Sequence, residues 1–229
     1  MTKRILSIIP ARGGSKGLSK KNITDLAGKP LIAWSIEASL NSKYISKTIV
    51  SSDSDEVLSI AQKYNSDVLK RPNEFSTDFS SSEIVIKNVL EVTEEKFEYL
   101  ILLQPTSPLR NSNDIDTAFE KFFSSTATAL ISVREYDNKI LKAFKENDLG
   151  YIEGISNNQH PFMRRQELPE TYLSNGAIYI IKVEEFLKNH SLFTDKTISF
   201  VMEAKKSIDL DTKEDLEKIA SEIEKIYLT

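Results

Sequence analysis

The run Ile5-Leu6-Ser7-Ile8-Ile9-Pro10 passes straight into Ala11-Arg12-Gly13-Gly14-Ser15-Lys16-Gly17-Leu18-Ser19-Lys20-Lys21-Asn22, and the junction between the two decides the fold. A short apolar run closed by proline suits a strand buried in a parallel sheet. The loop behind it holds three glycines and four cations, Arg12, Lys16, Lys20 and Lys21, with no acid among them. Glycines let the backbone come close to a ligand and aim N–H groups at it. Open α/β sheets bind ligands just beyond the carboxyl ends of their strands, where this loop lies. A generic basic loop is merely solvated; position and charge density favour a phosphate cradle here. It is not the ATPase phosphate loop, because Lys16 is followed by Gly17 instead of Ser or Thr, and it is not Gly-x-Gly-x-x-Gly either.

Outward from this junction, strands and helices alternate. Pro30 suits a helix start, where its missing N–H costs nothing, and Ile32, Ile36 and Leu40 then recur at a spacing of four. Strands are predicted at 48–50, 68–69, 99–103 and 130–133, and helices at 53–64, 82–92 and 113–123. The rhythm resumes at 177–181. A last helix follows Asp211, with Leu216, Ile219, Ile223 and Ile226 on its apolar face. Such alternation predicts an α/β fold: a mainly parallel twisted sheet with helices on both faces. Between Asp137 and Ser174 the rhythm fails, which predicts a long functional loop or an inserted lobe. The expectation is one domain over 1–229, with the lobe at about 137–174 inside it.

Composition narrows the function classes. The chain has 229 residues, 40% hydrophobic and 28% charged, enough for one sizeable core. A net charge of −4 carries no broad nucleic-acid footprint. With no cysteine there is no disulfide, thiolate metal site or cysteine nucleophile. The apolar run at the N-terminus is too short for a signal peptide or a membrane span, so a cytoplasmic protein is expected.

Near the C-terminus, Ser207-Ile208-Asp209-Leu210-Asp211 precedes the last helix. Residues two apart on an extended segment point the same way, so Asp209 and Asp211 can converge on one hard cation. Mg²⁺ takes one or two carboxylates and leaves its other positions to phosphates and water, and Mn²⁺ would serve as a substitute. Asp211 has a competing use, as the N-cap of the helix that follows. His160 and His190 are not spaced as a metal pair, and Asp114 and Asp116 read as acids favoured at a helix start.

Ile9-Pro10-Ala11-Arg12-Gly13-Gly14-Ser15-Lys16-Gly17 with Lys21-Asn22 resembles the signature of the CMP-sialic acid synthetases, the acylneuraminate cytidylyltransferases. Leu102-Leu103-Gln104-Pro105-Thr106-Ser107-Pro108-Leu109-Arg110 resembles their second signature, and Asp209-x-Asp211 stands in the same place as theirs. The resemblance implies a Rossmann-like, GT-A-like nucleotidyltransferase that joins CTP to a nine-carbon 2-keto sugar acid and releases pyrophosphate. It implies catalytic roles on the triphosphate for Arg12, Lys16 and Lys21, with Ala11 and the Gly13–Ser15 backbone wrapped around it. Asn22, Arg71 and Ser82 would contact the nucleotide. Gln104, Asn175, Tyr179 and Phe193 would line the sugar pocket. Lys142 and Arg165, in the lobe, would reach the partner's site across a homodimer. Some members have two adjacent aromatics where this chain has Leu192-Phe193. N-acetylneuraminate is the expected acceptor; legionaminic or pseudaminic acid, or a CTP-binding regulator without catalysis, are the alternatives. The related enzymes for KDO share the fold but usually lack the Gly-Gly-Ser-Lys-Gly run.

Overall fold

A computed structural model describes residues 3–227 except Lys16 and Asp78, with the backbone alone at Ile226 and Tyr227. The strands are β1 (Ile5–Pro10), β2 (Asp25–Leu26), β3 (Lys29–Pro30), β4 (Lys47–Ser52), β5 (Asp67–Lys70) and β6 (Tyr99–Leu102), then β7 (Ala129–Tyr136), β8 (Phe144–Glu146), β9 (Ile152–Gly154), β10 (Thr171–Lys182) and β11 (Thr197–Val201). The helices are α1 (Leu31–Leu40), α2 (Asp55–Lys63), α3 (Ser82–Val92), α4 (Ser112–Phe123), α5 (Val183–Asn189) and α6 (Lys213–Tyr227). Seven strands form one sheet in the order β11-β7-β10-β6-β1-β4-β5. All run in one direction except β10, which is antiparallel to both of its neighbours.

β1 is buried on both faces, and its side chains alternate between two cores. Ile5 and Ile9 pack with Ile32 and Ile36 of α1, Val57 of α2 and Phe119 of α4. Leu6 and Ile8 pack on the other face with Val85 and Val89 of α3 and Phe186 of α5. Each such buried isoleucine or leucine contributes roughly 1.5–3 kcal/mol of transfer free energy. α6 forms a third cluster through Ile219 and Ile223 against Leu26, Leu31 and Leu210; Ile226, expected on the same face, has its side chain outside the described residues.

Four details differ from the expectations. Leu40 is exposed, whereas Ile32, Ser35, Ile36 and Ser39 are buried; a strict spacing of four drifts around a helix of 3.6 residues per turn, so the third member leaves the face. Pro30 precedes the first turn of α1 as its cap residue and ends β3. The strand expected at 177–181 begins at Thr171 and pairs with β7 as far as Tyr136, with an irregularity between Ser174 and Tyr179. The irregular stretch therefore ends at 170; it holds the β8–β9 hairpin and short turns of 3₁₀ helix. β11, an edge strand on β7, and the short helix α5 were not expected from the sequence.

Candidate active site

Four adjacent parallel strands deliver their next residues to one edge of the sheet. Arg12 follows β1, Asp53 follows β4, Arg71 follows β5 and Gln104 follows β6. The chain runs from β1 outward to β4 and β5, then returns to the other side of β1 for β6. Such a switch point leaves a crevice between the loops of the two central strands. Two cavities open there. One, of about 300 Å³, is lined by Arg12, Gly14, Ser15, Lys21, Asn22, Arg71, Ser82 and Gln104, among others. The second, of about 270 Å³, shares Ser82 and Gln104 with it and extends to Ile131, Tyr179, Leu192 and Phe193. Lys16 and Asp78 lie outside the described residues.

The basic loop is held open by its neighbours. Ala11 is buried and donates its N–H to Ser51 O at 3.0 Å, which prolongs the β1–β4 pairing. Asn22 Nδ2 donates to Arg12 O at 2.8 Å, and the N–H of Gly13 donates to Asp53 Oδ1 at 2.8 Å. Asn22 thus lines the cavity while fixing the loop's own turn. The helix expected from Asp53 begins at Asp55 with Ser54 as its cap residue, which gives Asp53 to the loop. The signal for it was a lone acid at a strand end facing a loop of cations.

Arg71 is buried, with Nε donating to Ser76 Oγ at 3.0 Å. Burial lowers its pKa, Asp53 opposes this, and the neighbouring Arg12 adds to it. A guanidinium held in such a place favours an anion or a polar acceptor as partner. Ser81, the cap residue of α3, makes no side-chain cap bond, and Ser80, Ser81 and Ser82 all face the first cavity.

Gln104, Tyr179 and Phe193 meet in the second cavity. Asn175 does not join them. It is buried, donates from Nδ2 to Ser207 Oγ at 2.9 Å, and accepts at Oδ1 from Ser132 Oγ at 2.6 Å and Ala177 N–H at 3.2 Å. Its amide is engaged at the irregularity of β10. Lys142 Nζ donates to Pro161 O at 3.3 Å and to Met163 O, both inside the lobe. Arg165 is exposed and pairs with Asp137 at 3.4 Å. Within one chain neither lines either cavity.

Asp209 and Asp211 lie against the basic loop. Lys21 Nζ is 2.8 Å from Asp211 Oδ1 and donates to Leu210 O at 3.0 Å. Gly17 packs so closely that a Cβ there would stand 2.7 Å from Asp211 O. Leu210 N–H donates to Thr106 O at 2.9 Å, tying the segment to the Gln104 loop. Asp211 is not the N-cap of α6. Asp215 Oδ2 accepts from the N–H groups of Asp211 and Thr212, and Thr212 Oγ1 accepts from Asp215 N–H at 3.2 Å, so Thr212 and Asp215 form the capping pair. This leaves the Asp211 carboxylate to the site. The Asp209 carboxyl is pushed up chiefly by desolvation, although the residue as a whole is accessible; a hydrogen bond from Thr106 pulls it down, and the Asp211 charge pushes it further up. Among the described residues no three His, Asp or Glu groups are placed to hold a metal. Two carboxylates beside a phosphate loop fit Mg²⁺, a cation that completes its shell with phosphate oxygens and water.

A cationic loop at a switch point with two adjoining cavities is an arrangement that suits a nucleotide-using enzyme. A family model described as Cytidylyltransferase matches residues 6–228. The chain is 34% identical over 216 residues to the pseudaminic acid cytidylyltransferase of Campylobacter jejuni, with 93% of each chain covered. It is 35% identical over 217 residues to the N-acylneuraminate cytidylyltransferase of Escherichia coli, covering 95% of this chain and 51% of that one. Its fold matches that of a CMP:2-keto-3-deoxy-manno-octonic acid synthetase complexed with CTP, with a TM-score of 0.73 at 18% identity over 98% of this chain and 100% of that one. The chain belongs to the cytidylyltransferase family, in the group of the CMP-sialic acid synthetases. No described helix is long and apolar enough to cross a membrane.

Proposed function

We propose that the chain transfers the CMP group of CTP to the anomeric hydroxyl of a nine-carbon 2-keto sugar acid, releasing pyrophosphate. The observation that carries this is the pair of cavities meeting at Ser82 and Gln104, one beside the cationic loop and one walled by Ile131, Leu192 and Phe193. In this reading the first cavity takes CTP. The cytosine lies toward Arg71 and Ser82, and the triphosphate lies along Arg12, the Gly13–Ser15 backbone and Lys21, with Lys16 as a further cation expected from the sequence. The second cavity takes the acceptor against Gln104, Tyr179 and Phe193.

The reaction is an in-line displacement. The anomeric hydroxyl gives its proton to solvent, and its oxygen forms a bond to the α-phosphorus as the bond to the pyrophosphate oxygen breaks. Positioning and charge neutralisation supply most of the rate in such a step. Arg12 and Lys21 offset the charge of the triphosphate and of the departing pyrophosphate. Lys21 leaves its pairing with Asp211 to do so, which frees that carboxylate. Asp209 and Asp211 would then hold Mg²⁺, which when bound neutralises phosphate oxygens and lowers the pKa of a nearby hydroxyl. Gln104 orients the acceptor.

The chain acts as a homodimer in this reading. The lobe leaves Phe162 82% exposed and Ile152 68% exposed, an apolar surface that a second copy would cover. Lys142 and Arg165 would reach the partner's acceptor cavity from there and pair with the sugar carboxylate.

N-acetylneuraminate is the reference acceptor. The apolar wall of the second cavity supports a second reading, pseudaminic or legionaminic acid, whose extra acyl group and terminal methyl bury more apolar surface. Pyrophosphate release from CTP and Mg²⁺ with N-acetylneuraminate, pseudaminate, legionaminate and KDO in parallel tests both. Turnover on one nine-carbon acid names the substrate. Tight CTP binding with no turnover on any of the four would refute the transfer reaction.

A further inference from the structure

Arg110 is 1% exposed and forms no ion pair among the described residues. Asp114, the acid that acts on its charge, is itself paired with Lys206 at 2.8 Å. Burial lowers the Arg110 pKa to about 10. A buried guanidinium without a carboxylate is a costly residue to keep. Nη1 is buried without a hydrogen-bond partner, and the other donors converge on one place. Nε donates to Ala177 O at 3.2 Å, and Nη2 donates to Ser35 Oγ at 2.7 Å and to Gln104 O at 3.4 Å.

These acceptors belong to three elements that meet under the acceptor cavity. Gln104 follows β6 and lines both cavities. Ala177 lies just past the irregularity of β10, and Ser35 lies on α1. A second staple runs beside the first, from Ser107 Oγ to Asn175 O at 3.2 Å. Between Asn175 and Ala177 stands Gly176, at φ +73°, and a methyl there would strike Gln104 Oε1. The backbone of Gln104 is therefore held by Arg110, and its side chain rests on a glycine whose next residue Arg110 also holds.

We propose that Arg110 is a positioning residue for the acceptor half of the site: its guanidinium fixes Gln104 against the Gly176 bulge and so sets where the acceptor lies relative to the α-phosphate. Among the described residues the side-chain hydrogen bonds of Lys21 and Arg71 go to Leu210, Asp211 and Ser76, outside this clamp, so it touches the nucleotide half only through the Gln104 loop. The inference rests on the proposed transfer reaction.

The test compares the unmodified protein with Arg110→Lys, Arg110→Met and Ser35→Ala. Steady-state kinetics are measured with acceptor and CTP varied separately, and CTP affinity is measured by calorimetry without acceptor. Misplacing a reacting group by about an ångström costs on the order of 100-fold, so kcat/KM for the acceptor should fall about that much in Arg110→Met. CTP affinity should stay within about twofold. Arg110→Lys should lie between, because an ammonium reaches one carbonyl where the fork reaches two. Melting temperature should hold or rise in Arg110→Met, since an apolar side chain of similar length removes a buried charge. If that variant does not fold, Ser35→Ala and Arg110→Lys carry the test. CTP affinity that falls in step with acceptor kcat/KM, or acceptor kinetics unchanged in all variants, overturns the role of Arg110. No turnover in the unmodified protein overturns the reaction itself, which is a separate result.

Discussion

The two ends of the sheet carry the same kinds of charge and use them differently. At the amino ends, Lys47 at the start of β4 sits between Glu95 at 2.5 Å and Asp67 at 3.4 Å, and Arg4 also pairs with Glu95. Each of these four charges has its partner within the chain. At the carboxyl ends, Arg12, Arg71 and Lys21 crowd one cavity, and the acids near them, Asp53 and Asp211, hold a loop N–H and an ammonium. The lesson concerns where neutralisation comes from. One edge completes its charges during folding; the other gathers cations around one cavity, which in the proposed reading takes a phosphate. Stability and catalysis should therefore separate by edge.

The largest effect is expected at the proposed metal pair, Asp209 and Asp211. Asp209→Ala should abolish Mg²⁺-dependent turnover, a loss on the order of 1,000-fold or more, since two-carboxylate sites lose their ion when one ligand goes. Its melting temperature should not drop, because a partly desolvated carboxyl with a raised pKa is itself a cost to folding. Pyrophosphate release against Mg²⁺ concentration measures the first and thermal unfolding the second. Normal Mg²⁺-dependent turnover would sink the assignment and blur the contrast between the edges.

A middle-sized effect tests whether loop and metal segment act as a unit. Gly17→Ala puts a methyl 2.7 Å from the Asp211 carbonyl, so the loop has to retreat. A retreat of a few tenths of an ångström should lower kcat/KM for CTP by about tenfold. It should raise the Mg²⁺ requirement in parallel, with stability nearly unchanged. A drop in CTP affinity alone would mean that Gly17 serves only the phosphates.

Much of this edge was legible in the sequence because strand ends and turn residues are local features. β1, β4, β5 and β6 announce themselves as apolar runs, and Arg12, Lys21, Arg71, Ser82 and Gln104 follow or face them in one cavity. What escaped depends on contacts far apart in the chain. Asp53 looks like a helix cap until Gly13, 40 residues away, is seen to donate to it. The hydrogen bonds that join the Asn175 amide to Ser132 and Ser207 cross long stretches of chain and leave no local sign. Asp211 looks like the cap of the last helix until Thr212 and Asp215 are found to cap each other. β10 reads as a short strand because its bulge interrupts the alternation, and β11 is a half-buried edge strand with a weak apolar signal. The lobe carries neither period, so its hairpin left no pattern to read.

The smallest effect belongs to the amino edge and is the control for the others. Glu95 is accessible, and its carboxyl lies below the usual range because Lys47, and then Arg4, hydrogen-bond to it. A group whose pKa is lower folded than unfolded stabilises the protein above its unfolded pKa. That contribution is lost as pH falls through the lowered folded value. Glu95→Gln should then melt slightly below the parent at neutral pH, and the gap should close in acid, where the parent's Glu95 is protonated. Exposed pairs contribute little, so the shift is small even at low salt and shrinks as salt is added. kcat and both KM values should match the parent, because the partners of Glu95 lie at the edge of the sheet opposite Arg12 and Gln104. A kinetic change in this variant would show that the two edges are coupled through β1 and β4, and the separation of stability from catalysis would fail at its mildest point.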